Sequence, residues 1–106
     1  MKREISMQIA TTILEQLGGH RFVTMTGAKD ILALESGLRF KLPGAGGFTK
    51  KGINLVSIIL EGMDTYTVKF EKVRGMTRKT IAEFSDIYSD GLQELFTRET
   101  GLDTHF

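Results

Sequence analysis

The sequence predicts an α+β domain: an antiparallel sheet of four or five strands with an N-terminal and a C-terminal helix packed on one face. Three observations carry this. Residues 5–17 place their apolar side chains at helical spacing and end in Gly18-Gly19; two central segments, LRFKL and TYTVKFEKV, alternate apolar and polar residues; and the apolar residues of segment 88–96 return to helical spacing. Helix, hairpin-linked strands, helix is the element order of a layered α+β fold.

In the first helix, over residues 3–17, Ile5, Ile9, Ile13, Leu14 and Leu17 form one stripe. The glycine pair stops it, because glycine takes the left-handed conformation that closes a helix. HRFVTMTG, rich in β-branched and aromatic residues, reads as a strand ending at Gly27. Ile31, Leu32 and Leu34 read as a short strand entering the Ser36-Gly37 turn. In LRFKLP, Leu38, Phe40 and Leu42 face one way and Arg39 and Lys41 the other, until Pro43, lacking an N–H for the ladder, ends the strand.

INLVSIILEG is apolar on both sides around Val56, Ile58, Ile59 and Leu60, as a central strand requires. Gly62-Met63-Asp64 is a turn, after which Tyr66, Val68 and Phe70 face inward and Thr67, Lys69 and Glu71 outward. A last strand follows the Arg74-Gly75-Met76 turn, through residues 78–84. The closing helix starts at a Ser85 or Asp86 N-cap, buries Tyr88, Leu92, Leu95 and Phe96, and stops at Gly101-Leu102. No internal repeat or low-complexity tract is visible.

The chain of 106 residues is expected to be a single domain, 1–106, and its 41% hydrophobic and 25% charged content is that of a globular protein. The absence of cysteine excludes disulfides and thiolate metal sites and fits a reducing compartment. No apolar run reaches the ~20 residues of a membrane span. MKREISMQIATT lacks a signal peptide's apolar stretch, so the expected location is cytoplasmic.

Charge is uneven along the chain. The net is +1, but residues 21–80 hold 11 basic and 5 acidic residues, a balance of +6, while residues 81–106 hold Arg98 against six acids, a balance of −5. A sheet with one wet face would present Arg39, Lys41 and Lys69 there. With Lys50, Lys51, Arg74, Arg78 and Lys79 these form a candidate surface for nucleic-acid phosphates or for a protein partner. The alternative is a solvated sheet face, since single-strand binders usually add aromatic stacking platforms.

The loop PGAGGFTKKG has the glycines of a phosphate cradle but no G-K-[ST] ending, and it joins two antiparallel strands where a P-loop leads into a helix. It reads either as a plain connection or as a basic contact loop. Asp86, Asp90 and Glu94, four apart on the expected helix, form a solvated face or an acidic docking stripe for a basic partner, not a metal site. His20 sits beside a helix end and His105 in the tail. No nucleophile elbow or ordered Ser/His/Asp spacing supports catalysis, so neither an enzyme nor a cofactor is expected.

TILEQLGGHRFVTMTGAK, LRFKLPGAGGF, KKGIN, DTYTVKF and IYSDGLQELFTRETGL together resemble a recurring group of small proteins encoded by bacteriophages and integrated mobile elements. The shared residues include Gly18, Gly19, Phe22, Thr26, Gly27, Lys29, Pro43, Asn54, Tyr66, Phe70, Phe96, Thr100 and Gly101. The resemblance implies a phage or mobile-element origin in a host-cell cytoplasm and supplies no catalytic residues. It implies two partners: nucleic acid, or a host defence complex blocked in the manner of an anti-CRISPR protein, for which the acidic stripe would mimic phosphates. A homodimer through an unpaired sheet edge is compatible with either.

Overall fold

The structure of the protein, a computed structural model, describes residues 2–43 and 49–102, the side chains of residues 2–4 and 50 excepted. Helices α1 (Lys2–Leu17) and α2 (His20–Thr26) lead into strands β1 (Lys29–Leu34), β2 (Gly37–Lys41), β3 (Leu55–Leu60), β4 (Tyr66–Arg74) and β5 (Thr77–Ile87), and helix α3 (Leu92–Thr100) follows. Short 3-10 turns lie at Lys50–Gly52, Gly62–Asp64 and Ser89–Gly91. The strands lie in chain order, β1-β2-β3-β4-β5, and every neighbouring pair is antiparallel. The expected α+β fold is the one observed, with β3 at its centre.

Register sorts the side chains into two faces, because residues directly opposite on antiparallel strands project to the same side. The rows Leu38–Ile58–Val68–Phe84 and Phe40–Val56–Phe70–Ala82 form the inner face. Against it pack Ala10, Ile13 and Leu17 of α1, Phe22 of α2, and Leu92, Leu95 and Phe96 of α3. The rings of Phe22, Phe40 and Phe96, one from each of α2, β2 and α3, meet with centroids 5.0–6.1 Å apart, two of the three pairs edge to face. The helices therefore share one side of the sheet, and α1 touches α3 directly, with Gln93 Nε2 donating to the Leu17 carbonyl at 2.8 Å. None of the described helices is long and apolar enough to cross a membrane.

Three sequence readings need correction. Segment 20–26, expected as a strand, is the helix α2. Its buried residues are Phe22 and Thr26, four apart, while Thr24, which strand alternation would bury with them, is exposed. The Thr26 hydroxyl donates to the Phe22 carbonyl at 2.7 Å and accepts from the Ala28 N–H at 3.2 Å, and left-handed Gly27 closes the turn. Packing of Phe22 thus overrides the β-propensity of Val23, Thr24 and Thr26. His20 consequently opens a helix.

The last strand runs on through Ile87, so Ser85 and Asp86 are strand residues and α3 begins only at Leu92. Two bulges let β5 extend this far. Phe70 and Glu71 face Ala82 and Thr80, leaving Ile81 extra; Tyr66 and Val68 face Ile87 and Phe84, leaving an extra residue where Asp86 takes φ 59°. Tyr88 precedes α3 and is exposed instead of buried. At the other end of the chain Ile5, assigned to the buried stripe, is 57% exposed: the stripe is covered only from Ile9 onward.

Candidate nucleic-acid interface

The outer face of the sheet is built by the alternation that fills the core. With Leu38 and Phe40 turned inward, Arg39 and Lys41 must face out; with Val68 and Phe70 inward, Lys69 and Glu71 face out. The outer rows are Arg39–Ser57–Lys69–Glu83 and Lys41–Leu55–Glu71–Thr80. Lys29 of β1 lies opposite Lys41, and Arg78 of β5 lies opposite Val73. At the end of the face where β2 finishes and β3 begins is an open groove of about 510 Å³, into which Lys29, Arg39, Lys41 and Arg78 project over an apolar floor that includes Leu55 and Val73.

Within this groove the charges are unequally engaged. Lys41 Nζ lies 3.5 Å from Asp30 Oδ2, but both side chains are more than half exposed, and such a pair contributes little. Arg39 Nε donates to Ser57 Oγ at 3.3 Å. Arg78 is held far more firmly: Nε and Nη2 donate to the two carboxylate oxygens of Glu71 at 2.5 and 2.8 Å. Arg78 is the diagonal neighbour of Glu71 across the β4–β5 hairpin, two residues from the directly opposite Thr80.

Glu71, expected to face outward, takes the outer face but is only 1% exposed. Its hydrogen bonds to Arg78 hold the carboxyl below its ordinary range, with the charges of Arg78, Lys69 and Arg39 adding to this against an opposing effect of burial. The Arg78 guanidinium is correspondingly raised. Because the folded-state pKa is depressed, the pair contributes stability that is present above the unfolded carboxylate range and lost as pH falls through the lowered pKa. In acid-to-neutral urea melts, wild type is expected to exceed Glu71→Gln by a margin that shrinks as pH drops through that window; a constant margin would show that the ionised carboxylate adds nothing.

The strand ends around the groove are clamped by Asn54. Its side-chain amide donates to the Val73 carbonyl at 2.8 Å and its side-chain oxygen accepts the Val73 N–H at 2.7 Å, while its backbone N–H donates to the Glu71 carbonyl at 3.0 Å. A side chain thereby extends the β3–β4 ladder beyond the last backbone pair and leaves no buried polar group of Val73 without a partner.

Of the eight basic residues the sequence singles out, the structure brings together Arg39, Lys41 and Arg78, with Lys69 nearby on the same face. Lys51 turns to the helical layer, 3.7 Å from Glu99 of α3. Lys79 lies opposite Lys72 and Arg74 opposite Thr77, both on the inner-face register of the β4–β5 hairpin beyond the core. The Lys50 side chain and loop residues 44–48, which include three of the four glycines that prompted the phosphate-loop comparison, lie outside the described residues. Lys29 was not among the candidates; the short, irregular β1 gave no alternation that would have aligned it with Lys41.

The acidic stripe does not form. Asp86 belongs to β5, Asp90 to a 3-10 turn and Glu94 to the first turn of α3, so no helical face carries all three. Among the described residues no cluster of His, Asp and Glu could hold a metal. The aromatic residues of the sheet, Phe40, Tyr66, Phe70 and Phe84, all occupy inner-face rows. No family model, curated protein or solved structure matches the chain.

Proposed function

We propose that this protein binds nucleic acid without catalysis, holding the phosphate backbone in the groove on the outer face of its sheet. The observation that carries the reading is the convergence of Lys29, Arg39, Lys41 and Arg78, drawn from three strands, in one open groove. A groove lined by cations displaces the counterions condensed on a polyphosphate chain, and that release drives association. Asp30 and Glu71 offset part of this charge, so the surface fits modest, non-specific affinity. With the sheet aromatics on the inner face, contacts fall on phosphates, which carry no base sequence. The resemblance to phage and mobile-element proteins supports this reading, since such a protein would meet replicating or recombining nucleic acid in a host cytoplasm.

Fluorescence anisotropy of labelled oligonucleotides at low and near-physiological salt tests the reading. Log affinity is expected to fall with log salt at a slope of about −3 for four duplex phosphate contacts partly offset by acidic neighbours. Arg39→Ala with Lys41→Ala should weaken binding to all sequences alike and reduce the slope by about 2, whereas Lys51→Ala, set against α3, should change little. Absence of binding at low salt, or a double variant indistinguishable from wild type, would remove the proposal and turn the search to a protein partner.

A further inference from the structure

We propose that Glu71 is a positioning residue: its buried carboxylate holds the Arg78 guanidinium as a fixed fork that grips one phosphodiester in a set orientation, an inference that rests on the nucleic-acid reading. A guanidinium has five N–H donors in one plane. Glu71 uses one on Nε and one on Nη2, which leaves the others on a side chain that is 47% exposed and lines the groove with Lys29, Arg39 and Lys41. A long cationic side chain normally loses rotamer freedom when it captures an anion; Arg78 has already lost it to Glu71, and its planar fork matches the spacing of two phosphate oxygens.

The surroundings of Glu71 favour this over a general electrostatic surface. A carboxylate on a cationic face lowers the attraction for phosphate, and burying one there adds a desolvation cost. The Asn54 clamp fixes the backbone at Glu71 and Val73, on both sides of Lys72, so the carboxylate is anchored to rigid strand instead of a loop. Lys69 and Arg39, the other cations acting on Glu71, are not bonded to its oxygens and act only through their charge.

The two accounts predict opposite signs. Glu71→Gln removes a negative charge from beside the groove, so attraction alone predicts tighter binding to an oligonucleotide. Loss of the fork predicts binding about tenfold weaker, the equivalent of one charge-assisted hydrogen bond. Glu71→Asp, which keeps the charge but shortens the reach, should also weaken binding, and Arg78→Lys should do so while making a further Glu71→Gln change almost without effect. Circular dichroism establishes that each variant is folded. Tighter or unchanged binding by Glu71→Gln, with Arg39→Ala and Lys41→Ala still weakening it, overturns the positioning role and leaves the nucleic-acid reading standing; absence of wild-type binding overturns both.

Discussion

Phe40→Ala is expected to lower stability by about 3–5 kcal/mol, enough to leave much of the protein unfolded at moderate temperature. Phe40 is fully buried and stands between Phe22 and Phe96, at centroid distances of 5.3 and 6.1 Å. Removing the ring leaves a void bounded by α2, β2 and α3. No single neighbour can collapse into it, because each is tied to a different element, and the edge-to-face contact with Phe22 is lost as well. Against a total of roughly 5–15 kcal/mol for a domain of this size, one substitution would consume a large share. Urea titration followed by circular dichroism measures it, and a loss below about 1 kcal/mol would show that the three rings do not form the joint between the layers.

Gly37→Ala is expected to cost about 3 kcal/mol or more, through crowding instead of a void. A β-carbon at Gly37 would lie 2.2 Å from the Ile58 carbonyl oxygen and 2.8 Å from Ile59 Cδ1. The offending oxygen belongs to β3, the strand whose Ile59 is Gly37's register partner. Relief therefore requires the β2–β3 ladder to open, and with it the Leu60 N–H bond to the Ser36 carbonyl at 2.7 Å. The smaller entropy of an alanine-containing unfolded chain, worth about 0.4–1 kcal/mol, does not offset this. Gly62→Ala is the control: nothing lies within 4 Å of its β-carbon. If the two variants melted alike, the close approach at Gly37 would be of no consequence.

The strands were legible wherever one face is buried and the other wet. Leu38, Arg39, Phe40, Lys41 and Leu42 stand where their alternation puts them, and the glycines at 27, 75 and 101 mark real boundaries. The miss at α2 is instructive because its signal was present twice. FVTMTGA and FTRETGL share a phenylalanine, a threonine four residues on, then glycine and an apolar residue. In both, the threonine hydroxyl donates back to the phenylalanine carbonyl at 2.7 Å and receives the N–H two residues ahead at 3.2 Å, with a left-handed glycine between. Helical spacing upstream made the second copy readable as a helix end; the β-branched residues of the first concealed it.

The candidate groove was only half legible for a related reason. Arg39 and Lys41 follow from local alternation, but the partnership of Glu71 with Arg78 depends on hairpin register, which the bulge at Ile81 shifts by one residue. Lys51 was misplaced because its neighbours in sequence gave no sign that its counter-ion, Glu99, would come from α3. The acidic stripe failed when the bulge at Asp86 let β5 take residues that helical spacing had assigned to the closing helix.

The joining of Phe22 and Phe40 to Phe96 also bears on how the chain is made. Each strand pairs with the one synthesised just before it, so the sheet can assemble hairpin by hairpin as it leaves the ribosome. Its inner face cannot close in that way, since α3 emerges after every strand. During synthesis the growing sheet therefore carries a phenylalanine surface that α1 and α2 cover only in part, and the interval before α3 docks is when a chaperone has most to protect.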